Sequence, residues 1–155
     1  MALDPTARLI NVKDSLKKYF VDNLARTEGK RLTFDKAMSV PKIQGSAPAE
    51  EWISIGLEET ELGTLSTQYV TIHCCTRKDP EYDKLTKLVD LVMGYLSDTT
   101  QTDGMKRIPL YRSYPNWTLL GAMLVYDITI SAEMESVDET KFRVLNVSLK
   151  WAAKI

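Results

Sequence analysis

Residues 67–96 read TQYVTIHCCTRKDPEYDKLTKLVDLVMGYL, and the hydrophobic period changes in the middle of them. From Thr67 to Thr76 the period is two: Val70, Ile72 and Cys74 alternate with Tyr69, Thr71, His73 and Cys75. That is the pattern of a strand with one face on a core. After Asp79-Pro80 the period is near 3.6, with Leu85, Leu88, Val89, Val92, Met93 and Leu96 in one stripe, as in an amphipathic helix. Asp79 offers a carboxylate to the free N–H groups of a helix start, and Pro80 suits the first turn. Glu81 and Asp83 add negative charge where the helix dipole favours it. The chain therefore combines strand and helix within one packed unit.

Working outward, Asp4-Pro5 repeats the helix-start chemistry, and Leu9, Val12, Leu16, Tyr19 or Phe20, and Leu24 recur at helical spacing. This predicts a first helix ending near Arg26 with Gly29 as its terminator, and with Lys13, Lys17 and Lys18 on a solvated side. Leu32 and Phe34 suit a short strand. Pro41, Gly45, Ser46 and Pro48 mark a flexible loop near 36–49. Ile53, Ile55 and Leu57 predict a strand over 51–57, and Glu58-Glu59-Thr60-Glu61-Leu62-Gly63-Thr64 reads as an acidic connection to an antiparallel partner at 67–76. Beyond the polar 97–104 loop, Arg107 to Arg112 reads as a strand that Pro109 confines to an edge, and Tyr114-Pro115-Asn116-Trp117 as a turn. In the next strand Ala122, Leu124, Tyr126, Ile128, Ile130 and Ala132 alternate with Met123, Val125, Asp127, Thr129 and Ser131. The last strand carries Leu145, Val147, Leu149 and Trp151, and Glu133 to Thr140 joins the two as a hairpin. The expected fold class is α+β: a mainly antiparallel four- to five-stranded sheet packed against two amphipathic helices, in a single domain over 1–155.

Bulk properties narrow the function. With 155 residues the chain can bury one core. Twenty Lys and Arg against twenty-one Asp and Glu give a formal charge of -1, so no bulk attraction to nucleic acid or anionic membrane is expected. No apolar run approaches the roughly 20 residues of a membrane-spanning helix, and the N-terminus lacks the pattern of a secretory signal. Cys74 and Cys75 are adjacent and close no useful loop. The expectation is a cytosolic site of synthesis, with no membrane partner.

Chemistry is sparse. His73 is the single histidine, and with Cys74 and Cys75 it invites a metal test, but a second ligand pair at suitable spacing is lacking. His73 and Cys75 share a strand face without an orienting third group or an oxyanion pocket. Phosphate-loop and dinucleotide fingerprints are absent. The expectation is no catalytic residue, no metal and no cofactor, in an interaction protein rather than an enzyme. Trp52, Tyr111, Tyr114, Trp117 and Trp151 are candidate anchors, since aromatics favour interface centres. Glu58, Glu59 and Glu61 form a candidate acidic patch, complementary to Lys106, Arg107 and Arg112. The basic pairs beside Tyr114 and Trp117 also allow a small nucleic-acid-binding domain.

Four stretches carry a resemblance: Arg8-Leu9-Ile10-Asn11-Val12-Lys13-Asp14-Ser15-Leu16; Trp52-Ile53-Ser54-Ile55-Gly56-Leu57 followed by Glu58-Glu59; residues 68–76 continuing into Asp79-Pro80-Glu81-Tyr82-Asp83-Lys84-Leu85; and the final strands 124–130 and 142–147. In this order they resemble the tail terminator family of long-tailed bacteriophages, of the phage lambda type. The resemblance implies an α+β protomer in a homo-oligomer, a hexameric ring, seated on the last ring of the tail tube. Such a ring stops tube growth and meets the head-proximal connector or stopper protein, and in contractile tails the sheath; DNA passes through it without specific recognition. The implied location is the head-proximal end of the tail in the virion, after assembly in the host cytoplasm. An extra C-terminal strand-like stretch and the long Lys36 to Ala49 loop depart from that layout. Another neck or head-completion protein is the alternative within the same setting.

Overall fold

The period change at Asp79 is where strand gives way to helix. The computed structural model describes residues 9–34, 50–112, 116–137 and 139–152. Helix α2 spans Asp83–Leu96 and buries Leu85, Leu88, Val89, Val92 and Leu96. It begins three residues later than the Asp79-Pro80 signal suggests, because Tyr82 turns through a left-handed conformation (φ 62°) before the first helical residue. Asp79 nevertheless caps it. Its Oδ1 accepts the Lys84 N–H at 3.1 Å, and its Oδ2 accepts the Leu85 N–H at 2.9 Å and the Thr76 hydroxyl at 3.0 Å. Burial pushes this carboxyl upward, but those three hydrogen bonds and the nearby Lys84 outweigh it and hold Asp79 below the usual aspartate range.

Helix α1 spans Leu9–Phe20 and buries Asn11, Val12, Ser15, Leu16 and Phe20. It widens into a π-helical segment, Val21–Thr27, that buries Leu24. Gly29, at φ 68°, then reverses the chain, and the Lys30 N–H closes the end on the Leu24 carbonyl at 2.8 Å. The expected stripe holds except at Leu9, which is 52% exposed. The two helices are tied at one end: the Tyr19 hydroxyl donates to the Tyr95 carbonyl, and the Tyr95 hydroxyl to Glu28 Oε1 at 2.6 Å. The Asp4-Pro5 helix start, the 36–49 loop and the Tyr114-Pro115 turn lie outside the described residues.

Among the described residues seven strands form one sheet, rather than four or five: β1 Leu32–Phe34, β2 Glu51–Glu61, β3 Leu65–Thr76, β4 Arg107–Arg112, β5 Thr118–Ile130, β6 Met134–Glu135 and β7 Lys141–Ala152. The order is β1-β2-β3-β7-β5-β4, with β6 beside β7. All pairs are antiparallel except β1 with β2, which is parallel. β1 is the short strand expected at Leu32 and Phe34, and the unread β6 is two residues long, too short to display a period. The β2–β3 and β5–β7 antiparallel pairings agree with the sequence reading, and β4 with its Pro109 is an edge strand as expected.

Both helices pack on one face of the sheet, against Ile53, Ile55, Val70, Ile72, Cys74, Ile108, Leu110, Met123, Val125, Leu145, Val147, Leu149 and Trp151. In β5 the simple alternation fails. Val125 pairs with Leu149 but Asp127 pairs with Ser148, so Tyr126 is an inserted residue and the parity flips there. Met123 and Val125 face the core before the bulge and Ile128 packs on it afterwards, while Tyr126 is 50% exposed.

The sheet curls around α1. Strands β1 and β4 are its two ends, yet Lys17 Nζ lies 5.6 Å from the Phe34 ring and Lys18 Nζ 6.0 Å from the Tyr111 ring. Adjacent residues of one helix thus reach both edges. The buried Ser15 hydroxyl accepts the Tyr111 N–H of β4 at 2.8 Å, covering an edge group that a neighbouring strand would otherwise take.

Candidate functional site

The acidic stretch at Glu58 to Glu61 is strand, not loop. β2 runs through it, and the register jumps between Leu57, opposite Val70, and Thr60, opposite Gln68. Glu58 and Glu59 are therefore two residues set against one, Tyr69, in a β-bulge. Gln68, 4% exposed, holds that bulge from the inner side. Its Nε2 donates to the Glu58 carbonyl at 3.0 Å, and its Oε1 accepts the Thr60 hydroxyl at 2.5 Å.

Following that row across the sheet, Tyr69 stands opposite Ser148 and Ser148 opposite Asp127, beside the second bulge at Tyr126. Two bulges thus face each other across β3 and β7 and sharpen the local bend. Between them the outer face forms an open concavity of about 560 Å³ lined by Glu58, Glu59, Tyr69, Thr71, Asp127, Thr129, Asn146 and Ser148, among others. The Thr71 hydroxyl donates to Glu58 Oε1 at 3.2 Å. The clustered charge acts on Tyr69: Glu61 first, then partial burial, Glu59 and Asp127, push its phenol above the ordinary value of 10.0. Lys150, with Nζ 3.9 Å over the Tyr126 ring, is a cation at the border of this face.

The opposite flank is basic and aromatic. Trp117, 49% exposed, meets the Tyr111 ring edge to face at 5.9 Å, and Lys18 Nζ lies 5.4 Å from the Trp117 ring. Lys18 and Trp117, with Asp14, Lys17, Val21, Asp22 and Arg26, line a shallow depression on the outside of α1 and the π-helical segment that continues it. Asp22 bridges Lys18 at 2.9 Å and Arg26 at 3.0 Å, which orders the two cations. Lys17 and Lys18 of this flank belong to the helix side that the sequence marks as basic, open to solvent or to a phosphate backbone.

The structure separates the other expected residues. Arg107 and Arg112 sit at opposite ends of β4, roughly 16 Å apart along the strand. Arg107 is engaged by Asp103, at 2.9 and 3.2 Å, and by the Met105 carbonyl, so Lys106, Arg107 and Arg112 do not form one patch. Arg112 is half-buried beside the aromatic flank, and its Nε has no hydrogen-bond partner. Trp52 and Trp151 are 1% and 2% exposed and serve the interior rather than the protomer surface. Tyr114 lies outside the described residues.

His73 is half-buried with its ring 6.5 Å from that of Phe142, and burial lowers its pKa against the opposing pull of Glu58. Cys74 and Cys75 are free and buried, and burial, then Cys75 and Glu51, pushes the Cys74 thiol up. Among the described residues no three His, Cys, Asp or Glu side chains are grouped to hold a metal ion, and no helix is long and apolar enough to cross a membrane.

The sequence reading found Glu58, Glu59, Glu61 and Trp117 but missed Asp127, Tyr69 and Gln68. Asp127 is more than sixty positions from the glutamates, and only the β5 bulge puts it on their face. Comparison with known proteins adds the fold alone. No family model matches the chain, and no curated protein does. A solved structure whose name describes no function is similar over 96% of this chain and 97% of its own, with a TM-score of 0.58 at 8% sequence identity. The chain shares an architecture with that protein: two helices against a curled, mostly antiparallel mixed sheet.

Proposed function

We propose that this chain is a tail terminator of a long-tailed bacteriophage. Copies of it form a ring, a hexamer, on the end of the tail tube, stop further addition of tube subunits and present their other side to the head-proximal connector or stopper. The role needs no reaction, metal or cofactor. It does need a protomer with unlike sides, because a cap that offered the same surface above and below would be extended rather than stop the tube.

The observation that supports this reading is a protomer with two unlike, oppositely charged flanks, which suits the repeated head-to-tail contact of a ring. The outer sheet face carries Glu58, Glu59, Glu61 and Asp127; the α1 flank carries Lys17, Lys18, Arg26 and an exposed Trp117. The sequence resemblance to tail terminators supplies the biological setting, and the α+β architecture agrees with what that resemblance implies.

The test is to add the purified protein to polymerising tail-tube subunits and record tube lengths and end occupancy by electron microscopy. Shorter tubes with this protein at one end are expected. Tubes that lengthen past bound protein overturn the role. Binding to the connector with no effect on tube length assigns the chain to another position in the neck.

A further inference from the structure

From the placement of charge on the two faces we infer that copies of this chain bind one another head to tail. The basic α1 flank of one copy, with Trp117 at its centre, docks in the acidic concavity on the outer sheet face of the next. This names the self-contact of the ring and rests on that reading for its setting.

The occupant is argued from complementarity. The concavity between the two bulges presents Glu58, Glu59 and Asp127, with Glu61 close enough to Tyr69 to raise its pKa. The flank presents Lys17, Lys18 and Arg26 around Trp117 against Asp14 and Asp22, so cations outnumber carboxylates three to two, and Asp22 orders two of the three cations. Trp117 is the large aromatic anchor such a contact needs, half out of the surface and stiffened by Tyr111 and Lys18. The acidic face offers Tyr69, Thr71, Asn146 and Ser148 for its rim and donors. Because the two patches lie on opposite sides of the protomer, a two-fold axis cannot bring both into one interface with a partner copy. The contact is heterologous, and it closes into a ring when the rotation between copies divides a full turn.

Trp117 also reports on the contact. Of the three tryptophans it alone is substantially exposed, since Trp52 and Trp151 are buried. Assembly is therefore expected to shift tryptophan emission to shorter wavelength as protein concentration rises. The midpoint should move to higher concentration when salt is added, as for any contact built on partly exposed charges.

Two reversed variants give the decisive experiment: Glu59→Lys with Glu61→Lys, and Lys17→Glu with Arg26→Glu. Each alone, folded by circular dichroism, is expected to stay monomeric in sedimentation velocity at concentrations where the wild type assembles. Mixed in equal amounts they are expected to assemble again as alternating copies, because the introduced lysines then meet the introduced glutamates at every second contact and the contacts between are wild-type. Wild-type-like assembly by either variant alone overturns the contact, as does failure of the mixture to assemble or a wild type that remains monomeric at millimolar concentration. If a reversal prevents folding, Trp117→Ala gives the same readout. It should weaken assembly by about tenfold or more, and unchanged assembly overturns the contact. The two readings fail separately: rings held by this contact that leave tubes uncapped sink the terminator role, whereas variants that assemble and cap normally sink the contact.

Discussion

Gln68 is a buried amide on the core-facing side of β3, between Ser66 and the aliphatic Val70, and it answers a specific need. A bulge leaves carbonyls with no strand partner, and the Gln68 side chain supplies the donor for Glu58. Gln68→Leu fills similar space but withdraws that donor, so we expect a loss of about 1–3 kcal/mol in urea unfolding; an unchanged midpoint would mean the bulge supports itself. Asp79 makes a comparable prediction in pH. Its folded pKa lies below the ordinary 3.8, so its contribution is fully present above that value and fades as pH falls through the lower, folded pKa. At pH 7, Asp79→Asn should reduce stability by about 1 kcal/mol. The gap should close as the pH is lowered through 4 toward 2. A gap independent of pH would show that the carboxylate charge contributes nothing. Asp79 was legible as a helix-start signal from its neighbours Pro80 and Glu81; Gln68 was not, because nothing local announces that the opposite strand bulges.

At the scale of elements, what could be read from sequence were the regular stretches. The 3.6 period of α2 and the alternation along β3 and β7 survive because each buries one unbroken face. The misreadings fall where a strand carries an extra residue. Glu58 to Glu61 looks like a loop because three carboxylates interrupt the pattern, and Tyr126 hides a change of parity among apolar neighbours on both sides. Ser15 is the other concealed device, a polar residue on the buried stripe of α1 whose use becomes plain only when β4 is brought alongside. Ser15→Ala should leave the Tyr111 N–H without its acceptor and lower stability by about 1–3 kcal/mol. It should also uncover part of a sheet edge. Amide exchange at Tyr111 should accelerate more than exchange in β3 or β7, and uniform acceleration across the sheet would mean that Ser15 serves overall packing instead.

On the scale of the whole molecule, the acidic face is a local conflict that the isolated protomer does not need. Glu58, Glu59, Glu61 and Asp127 are brought together by two bulges on one side of a curled sheet, and like charges so placed repel through partly exposed space. A surface kept for binding tends to hold such unfavourable arrangements until a partner of opposite charge covers them. Each patch was legible only in part: Glu58, Glu59 and Glu61 stand together in the sequence, as do Lys17 and Lys18, but Asp127 and Trp117 come from elements distant along the chain and only the curl brings them alongside. The consequence can be measured on the monomer. Neutralising one member, Glu59→Gln, should raise the thermal midpoint of the dilute, unassembled protein slightly, within the roughly 0.5 kcal/mol typical of surface changes. The gain should be largest at low ionic strength and vanish in strong salt, where the Debye length shrinks to about 3 Å. The same substitution should weaken assembly of concentrated protein, so stability and association move in opposite directions. If the dilute variant is less stable than wild type at low salt, the glutamates are holding the protomer together rather than waiting for a neighbour.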